Sequence, residues 1–238
     1  MKAFILAAGL GTRLRSLGLD APKVMVPIGG KPLLEHHLEL FKRQGIREFI
    51  INLHYLPKKI TDYFGDGSRF GVKITYSNEP HLLGTAGAVK KMEDELRGGT
   101  FIVFYGDNLV RLDFGPLLEF HRTRRALVTI ALFESAEPWT GGVVETDASG
   151  RVVRFVEKPD PKQVSTNLIS AGIFILEPQV LDEIPGGTFH DFGKEVFPNL
   201  LAQGLPVYAR KPDAYIFDIG TPERLAQAQA DYERGLLN

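Results

Sequence analysis

Ala3-Phe4-Ile5-Leu6-Ala7-Ala8-Gly9-Leu10-Gly11-Thr12-Arg13-Leu14 is a short apolar, β-rich run that breaks into two glycines and an arginine. A buried strand that hands over to a glycine loop is the usual opening of a βα unit. Further β-rich runs at residues 3–7, 48–53, 72–77 and 101–105 alternate with amphipathic stretches at 32–44, 56–64 and 86–96. That alternation predicts an α/β fold on a largely parallel sheet. Pro32 suits the first turn of its helix and Gly45 its stop, while Thr221-Pro222-Glu223 carries N-cap, N1 and N2 chemistry for the last helix.

The second half changes character. Runs at 142–145 and 152–156 flank Asp147-Ala148-Ser149-Gly150, a hairpin turn signal, and predict a β-rich insertion. Strands are expected at 169–176, 206–210 and 214–217, with a helix near 192–203. No internal repeat occurs, and no hexapeptide period of the kind that winds a β-helix tail.

The 238 residues carry 28 Lys+Arg against 29 Asp+Glu, a formal net charge of -1. This balance, without a basic block, argues against nucleic-acid or membrane-surface binding. The apolar share of 44% and charged share of 24% are those of a globular chain. With no cysteine, thiolate metal sites, disulfides and a cysteine nucleophile are excluded. Gly9, Gly11, Arg13 and Arg15 interrupt the N-terminal apolar run, which therefore reads as a strand and not as a signal peptide. No run reaches the length of a membrane span, and a cytoplasmic location is expected.

In the loop at Ala8, Gly9, Gly11, Thr12 and Arg13, backbone N–H groups and a guanidinium can converge on a phosphate. A tight glycine turn explains two glycines equally well. A dinucleotide loop would need glycine where Leu14 stands and an acidic residue near Asn52-Leu53-His54, and no Walker Gly-Lys-Ser/Thr follows. Lys23 lies ten residues beyond Arg13, in a segment longer than ordinary βα loops. Asp107 ends a β-like run beside Gly106, which leaves room for close ligand approach, and is placed to hold Mg²⁺ on a nucleotide phosphate; Gly-Asp-Asn is also an ordinary turn. Asp218 ends the run at 214–217, and Thr221 makes the better cap. The six histidines lack metal-ligand spacing and read as surface or packing residues; no Gly-x-Ser-x-Gly elbow exists. Trp139 reads as core or pocket wall.

Gly9-Leu10-Gly11-Thr12-Arg13-Leu14-Arg15 followed by Pro22-Lys23-Val24-Met25-Val26-Pro27 resembles the signature of the sugar-1-phosphate nucleotidylyltransferases, over nearly the whole chain. Ser16 and Gly18 stand where that family more often has Pro and Thr. The resemblance implies one Rossmann-like three-layer α/β domain with a mixed, mostly parallel sheet and a small β-rich sugar-binding lobe. It further implies a nucleotide-binding half of about residues 1–133, a sugar-phosphate half of 134–238, and catalytic roles for Arg13, Lys23 and Asp107. Leu83-Gly84-Thr85-Ala86-Gly87-Ala88 looks like the base-binding segment, with Gly84, Thr85, Gly87 and Glu79 as its contacts. On residues alone, Thr85 reads first as a helix N-cap. By the same resemblance Asp107 and Asp218 are Mg²⁺ ligands, and Gly142, Glu157, Lys158, Asn167 and Gly172 bind the sugar phosphate. Glu157-Lys158 is otherwise a solvated charge pair.

The implied reaction moves a nucleoside monophosphate from a nucleoside triphosphate to a sugar 1-phosphate. Residues 83–88, 191–194 and 218–223 look most like the mannose-1-phosphate guanylyltransferase branch, hence GTP. Thymidylyl, uridylyl and heptose-phosphate guanylyl branches are near relatives. A silent nucleotide-sugar sensor is the reading from another class, and a homo-oligomer is compatible with either.

Overall fold

The computed structural model of the chain describes residues 1–9 and 21–237. In chain order, β1 is Lys2–Leu6, followed by the two-residue strands β2 (Pro27–Ile28) and β3 (Lys31–Pro32). Then come α1 (Leu33–Arg43), β4 (Glu48–Leu53), α2 (Pro57–Phe64) and β5 (Lys73–Asn78). Next are α3 (Gly84–Lys91), α4 (Glu93–Leu96), β6 (Phe101–Tyr105), β7 (Asn108–Leu112) and α5 (Gly115–Arg124). The strands β8 (Val128–Glu134), β9 (Gly142–Thr146), β10 (Val152–Glu157) and β11 (Leu168–Leu176) precede a π-helical turn, Phe192–Val196. The described chain closes with α6 (Phe197–Ala202), β12 (Val207–Arg210), β13 (Ala214–Asp218) and α7 (Pro222–Glu233). The fold is α/β, a mixed sheet with flanking helices, as the alternation implied.

Two compact units divide these elements. The first comprises Met1–Leu82, Phe104–Asp113 and Asp213–Asn238; the second comprises Leu83–Val103 and Phe114–Pro212. The boundary runs through β6, which has residues in both.

In the first unit β1 lies between β6 and β4, and β4 pairs β5, with β1, β4 and β5 parallel. Ala3, Phe4 and Ile5 are fully buried on both faces, which is why this strand reads as an unbroken apolar run instead of an alternating one. On α1, Leu33, Leu34, His37, Leu38 and Phe41 are buried, the stripe of a helix lying on a core. Phe41 meets Phe49 and Phe104 edge to face at 5.8 and 5.2 Å. The helix ends as a Schellman motif: Gly45 N–H donates to Lys42 O and Ile46 N–H to Phe41 O, with Gly45 at φ +81°. β7 and β13 form a separate antiparallel ribbon. A second small core gathers Val26, Ile28, Leu33, Leu109, Ile219 and Ala228.

In the second unit β11 lies beside β6, pairs antiparallel with β8 and β9, and β9 continues to β10 as a hairpin. Parallel pairing of β12 with β8 completes this part of the sheet. Phe155, Phe174, Phe192 and Phe197 form its aromatic centre, with ring centroids 4.9 to 5.5 Å apart.

Several expectations need correction. Pro32 precedes its helix with an extended ψ of 143°, because it pairs with Pro27 across the Gly29-Gly30 turn; the helix starts at Leu33. The stretch 86–96 breaks at Met92 into α3 and α4, and 192–203 begins as a π turn. Trp139 lies outside the core, 38% exposed. β7, α5 and β8 went unanticipated. Among the described residues, no helix is long and apolar enough to cross a membrane.

Candidate functional site

Lys23 opens a short 3-10 turn, Lys23–Met25, pinned by buried Val24 and Val26. Its side chain is only 11% exposed, and Nζ donates to Asp107 Oδ2 at 3.1 Å and Asp218 Oδ1 at 2.8 Å. A buried ammonium is stable only when paired, and here two carboxylates share it. Asp107 occupies the turn between β6 and β7; Asp218 ends β13, in register opposite Asn108. Arg224, in the first turn of α7, donates from Nη1 to Asp218 Oδ2 at 3.1 Å. Thr221 caps α7 by accepting from Arg224 N–H at 3.3 Å, as the sequence suggested.

Gly106 makes room for the protein's own backbone and side chains. A Cβ there would lie 2.9 Å from both Leu6 O and Val24 Cγ1. The close approach is made by the protein's own strand β1 and the Lys23 turn, and this sets Asp107 beside Lys23. The glycine is needed for assembly of the cluster itself.

The cluster suits a hard divalent cation. Two carboxylates already grip one cationic group, and all their donor atoms are oxygen, the preference of Mg²⁺ when phosphates and water complete its shell. Among the described residues, no group of three or more His, Asp or Glu side chains could hold a metal by itself.

Of the expected phosphate loop, Ala8 and Gly9 are described; Gly11, Thr12 and Arg13 lie outside the described residues. Ala8 is buried and Gly9 exposed, at the end of β1. Ala7 N–H donates to Asn52 Oδ1 at 2.7 Å, and Asn52 Nδ2 donates to Glu79 Oε1 at 2.8 Å. Glu79 is 3% exposed, and its carbonyl accepts from His54 Nδ1 at 2.7 Å. Glu79 thus holds Asn52, which holds the start of the glycine loop. The sequence reading missed Asn52 because it sought an acidic residue there. An amide can donate to the carboxylate and accept from the amide N–H at once, which a carboxylate cannot.

Within the second unit, the segment at 83–88 packs on residues 188–191. Ala86 and Gly87 N–H both donate to His190 O, at 2.9 and 3.1 Å. A Cβ on Gly84, which sits at φ +75°, would lie 2.4 Å from His190 O; one on Gly87 would lie 2.6 Å from Thr188 O. The room left by these glycines is filled by backbone. Thr85 is not an N-cap, since the helix starts at Gly84 and its N-cap is Leu83. Instead its hydroxyl donates to Asp191 Oδ2 and accepts from Phe192 N–H, both at 2.9 Å.

Asp191 also caps the π turn, accepting from Gly193 and Lys194 N–H at 2.9 and 3.1 Å. Glu157, at the end of β10, lies over Gly142 and Gly193: a Cβ on either would come within 2.9 and 2.7 Å of its Oε2. Burial pushes the Glu157 carboxyl above the ordinary range and neighbouring Asp191 adds to this, against Lys158 and Lys194. Lys158 is exposed and held at φ +49°, a left-handed conformation uncommon outside glycine. Asn167 is exposed with its carbonyl accepting from Ser135 N–H at 3.0 Å, while Gly172 is buried at a β11 bulge with φ +68°. The structure therefore brings Gly142, Glu157 and Lys158 together at one strand end. Asp191 and Gly193 belong with them; 191–194 stood out in the sequence only as a marker of substrate branch.

Known proteins resemble this chain over most of its length. The model of the nucleotidyl transferase family matches residues 2–235. A mannose-1-phosphate guanylyltransferase of Mycobacterium tuberculosis is 42% identical over 98% of this chain and 65% of its own length. A UTP–glucose-1-phosphate uridylyltransferase of Synechocystis is 40% identical over 92% of this chain and 60% of its own length. The chain thus spans less than two thirds of the length of these relatives. The crystal structure of HddC from Yersinia pseudotuberculosis superposes with a TM-score of 0.83 at 30% identity, covering 97% of this chain and 99% of HddC. With a match over nearly its full length, the chain belongs to the nucleotidyl transferase family.

Proposed function

We propose that this protein transfers a nucleoside monophosphate from a nucleoside triphosphate to a sugar 1-phosphate and releases pyrophosphate, with GTP and mannose 1-phosphate as its pair. The observation that carries the reading is the pair of carboxylates, Asp107 and Asp218, gripping one ammonium at 3.1 and 2.8 Å. Support for the substrates comes from the relative at 42% identity, named a mannose-1-phosphate guanylyltransferase, and from the HddC structure complexed with GMP-PN, at 30% identity and a TM-score of 0.81. In the division of labour we propose, about residues 1–133 serve the nucleotide and 134–238 the sugar phosphate.

The chemistry is an in-line displacement at the α-phosphorus, so catalysis consists of positioning and charge neutralisation, and no protein nucleophile is required. Asp107 and Asp218 would hold Mg²⁺, which when bound supplies Lewis-acid neutralisation of phosphate charge. Backbone N–H groups at Gly9, Gly11 and Thr12, with Arg13, would bind the triphosphate. Lys23 would offset negative charge at the α-phosphorus. Glu79 would steady the base site, along with Gly84, Thr85 and Gly87. Glu157 would accept from sugar hydroxyls, a role suited to a carboxylate that has no hydrogen-bond donor among the described residues. Lys158 would orient the attacking phosphate, within a pocket that includes Gly142, Asn167 and Gly172.

Pyrophosphate release with Mg²⁺, for GTP, dTTP, UTP, CTP and ATP against mannose, glucose, N-acetylglucosamine and heptose 1-phosphates, tests the reading. GTP with mannose 1-phosphate is the expected productive pair. UTP with glucose 1-phosphate, favoured by the relative at 40% identity, would keep the reaction and replace the substrates. No release with any pair would overturn the proposal.

A further inference from the structure

His37 is 1% exposed on α1, its ring edge-on to Phe104 at 4.8 Å, and the reaction proposed above makes no use of it. Its Nε2 lies 2.7 Å from Asn108 O, an acceptor only, so Nε2 carries the proton and donates. Burial holds the imidazole neutral, with its pKa lowered to about 4. Nδ1 is then a bare acceptor, and it finds no partner among the described residues. Leaving a buried acceptor unsatisfied is unfavourable, and an apolar ring would pack beside Phe104 without that burden. The feature that an apolar ring lacks is the donor to Asn108 O.

Asn108 follows Asp107 directly and stands opposite Asp218 in the β7–β13 ribbon. The C-cap residue of α1 works the same strand: Gln44 Nε2 donates to Leu112 O at 2.8 Å, at the other end of β7. Positions 37 and 44 lie two helical turns apart, roughly 10 Å along one face of α1. The two carbonyls they grasp are separated by roughly 13 Å of strand. One rigid helix therefore clamps both ends of the strand that begins at the carboxylate pair.

Building on the proposed reaction, we infer that His37 is a positioning residue which, with Gln44, fixes the Asp107–Asp218 separation by anchoring β7 to α1. The separation of two carboxylates decides how well they share a cation, so the effect belongs to metal-nucleotide binding and turnover and not to sugar binding. His37→Phe removes the donor and keeps the packing; His37→Gln returns an N–H at about the same reach.

The test is binding of Mn²⁺ with GTP, followed by electron paramagnetic resonance, alongside steady-state kinetics and thermal unfolding of the full chain. His37→Phe is expected to unfold at the wild-type temperature or above, to bind Mn²⁺ with GTP about 5- to 10-fold more weakly, and to lower kcat with an unchanged KM for sugar phosphate. His37→Gln should recover most of the loss. Should His37→Phe not fold, Gln44→Leu carries the same expectation from the other end of β7. Wild-type affinity and turnover in a folded His37→Phe, or His37→Gln as impaired as His37→Phe, would overturn the inference alone. A wild-type chain that neither binds Mn²⁺ with GTP nor turns over would remove the proposed function, and this inference with it.

Discussion

Lys23 ties together two carboxylates far apart in the chain, and each partner answers differently to substitution. Asp107→Asn keeps the side-chain shape and leaves Lys23 its bond to Asp218 at 2.8 Å. We expect turnover to fall by about 100-fold or more, the scale of losing a preorganised charge at a reacting phosphate. The unfolding temperature should stay within about 3 °C. Pyrophosphate release and a melting curve on the same sample check both numbers, and near-normal turnover would refute the role. His37, beyond its positioning role, makes the stability depend on pH. Its folded-state pKa of about 4 lies below the ordinary 6.5, so the unfolded chain binds the extra proton between those values. His37 therefore favours folding fully above pH 6.5, and the contribution is lost as pH falls towards 4, by about 3 kcal/mol in total. Urea unfolding at pH 7 and pH 4.5 should show this decline in the wild type and a shallower one in His37→Phe. Some slope will remain, because burial also lowers the pKa of His121. The strand-end positions of Asp107 and Asp218 were legible because each ends a β-like run. His37 was not, since neighbouring His36-His37 on a helix say nothing about which distant carbonyl either will meet.

At the scale of elements, glycines report what must come close. Gly193→Ala would put a Cβ 2.7 Å from Glu157 Oε2 and 3.1 Å from the Phe155 ring. The substitution should displace the carboxylate and raise the KM for sugar phosphate about 10-fold while kcat changes little. Overpacking of this kind also destabilises by about 1–3 kcal/mol. Kinetics with sugar phosphate varied at saturating nucleotide separate the two effects; an unchanged KM would remove Glu157 from the sugar site. Such packing is invisible in sequence, where Gly193 is simply a small residue after Phe192. The helical period was legible in α1, where one face is buried, and β4 was legible as a run buried on both faces. The stretch 108–134 was not read, although Val128-Thr129-Ile130-Ala131-Leu132-Phe133-Glu134 carries as strong a β-rich run as β6. β7 gave no such signal, because Asn-Leu-Val-Arg-Leu neither alternates nor runs apolar throughout.

For the whole molecule, the governing fact is that neither unit is one continuous piece of chain. The first unit draws β13, Asp218 and α7 from residues beyond 212. Its small core needs them too: Ile219 and Ala228 pack with Val26, Ile28, Leu33 and Leu109, and Tyr215, Phe217, Leu225 and Tyr232 lie against that cluster. Deleting residues 213–238 would expose this apolar surface and leave β7 without its partner strand. Such a chain should bind a hydrophobic dye and show no cooperative melting, by fluorescence and circular dichroism. A sharp transition near that of the full chain would show that the first unit stands without its last segment.

Lys23 and Asp218 are 195 positions apart, and on the ribosome that distance is time. At roughly 5–20 residues per second, the ammonium waits about 10 to 40 s for its second carboxylate. From the synthesis of β7 until β13 follows, roughly 100 residues or about 5 to 20 s later, β7 is an unpaired strand edge available to any passing β-prone segment. The hazard ends only when β13 emerges and closes that edge.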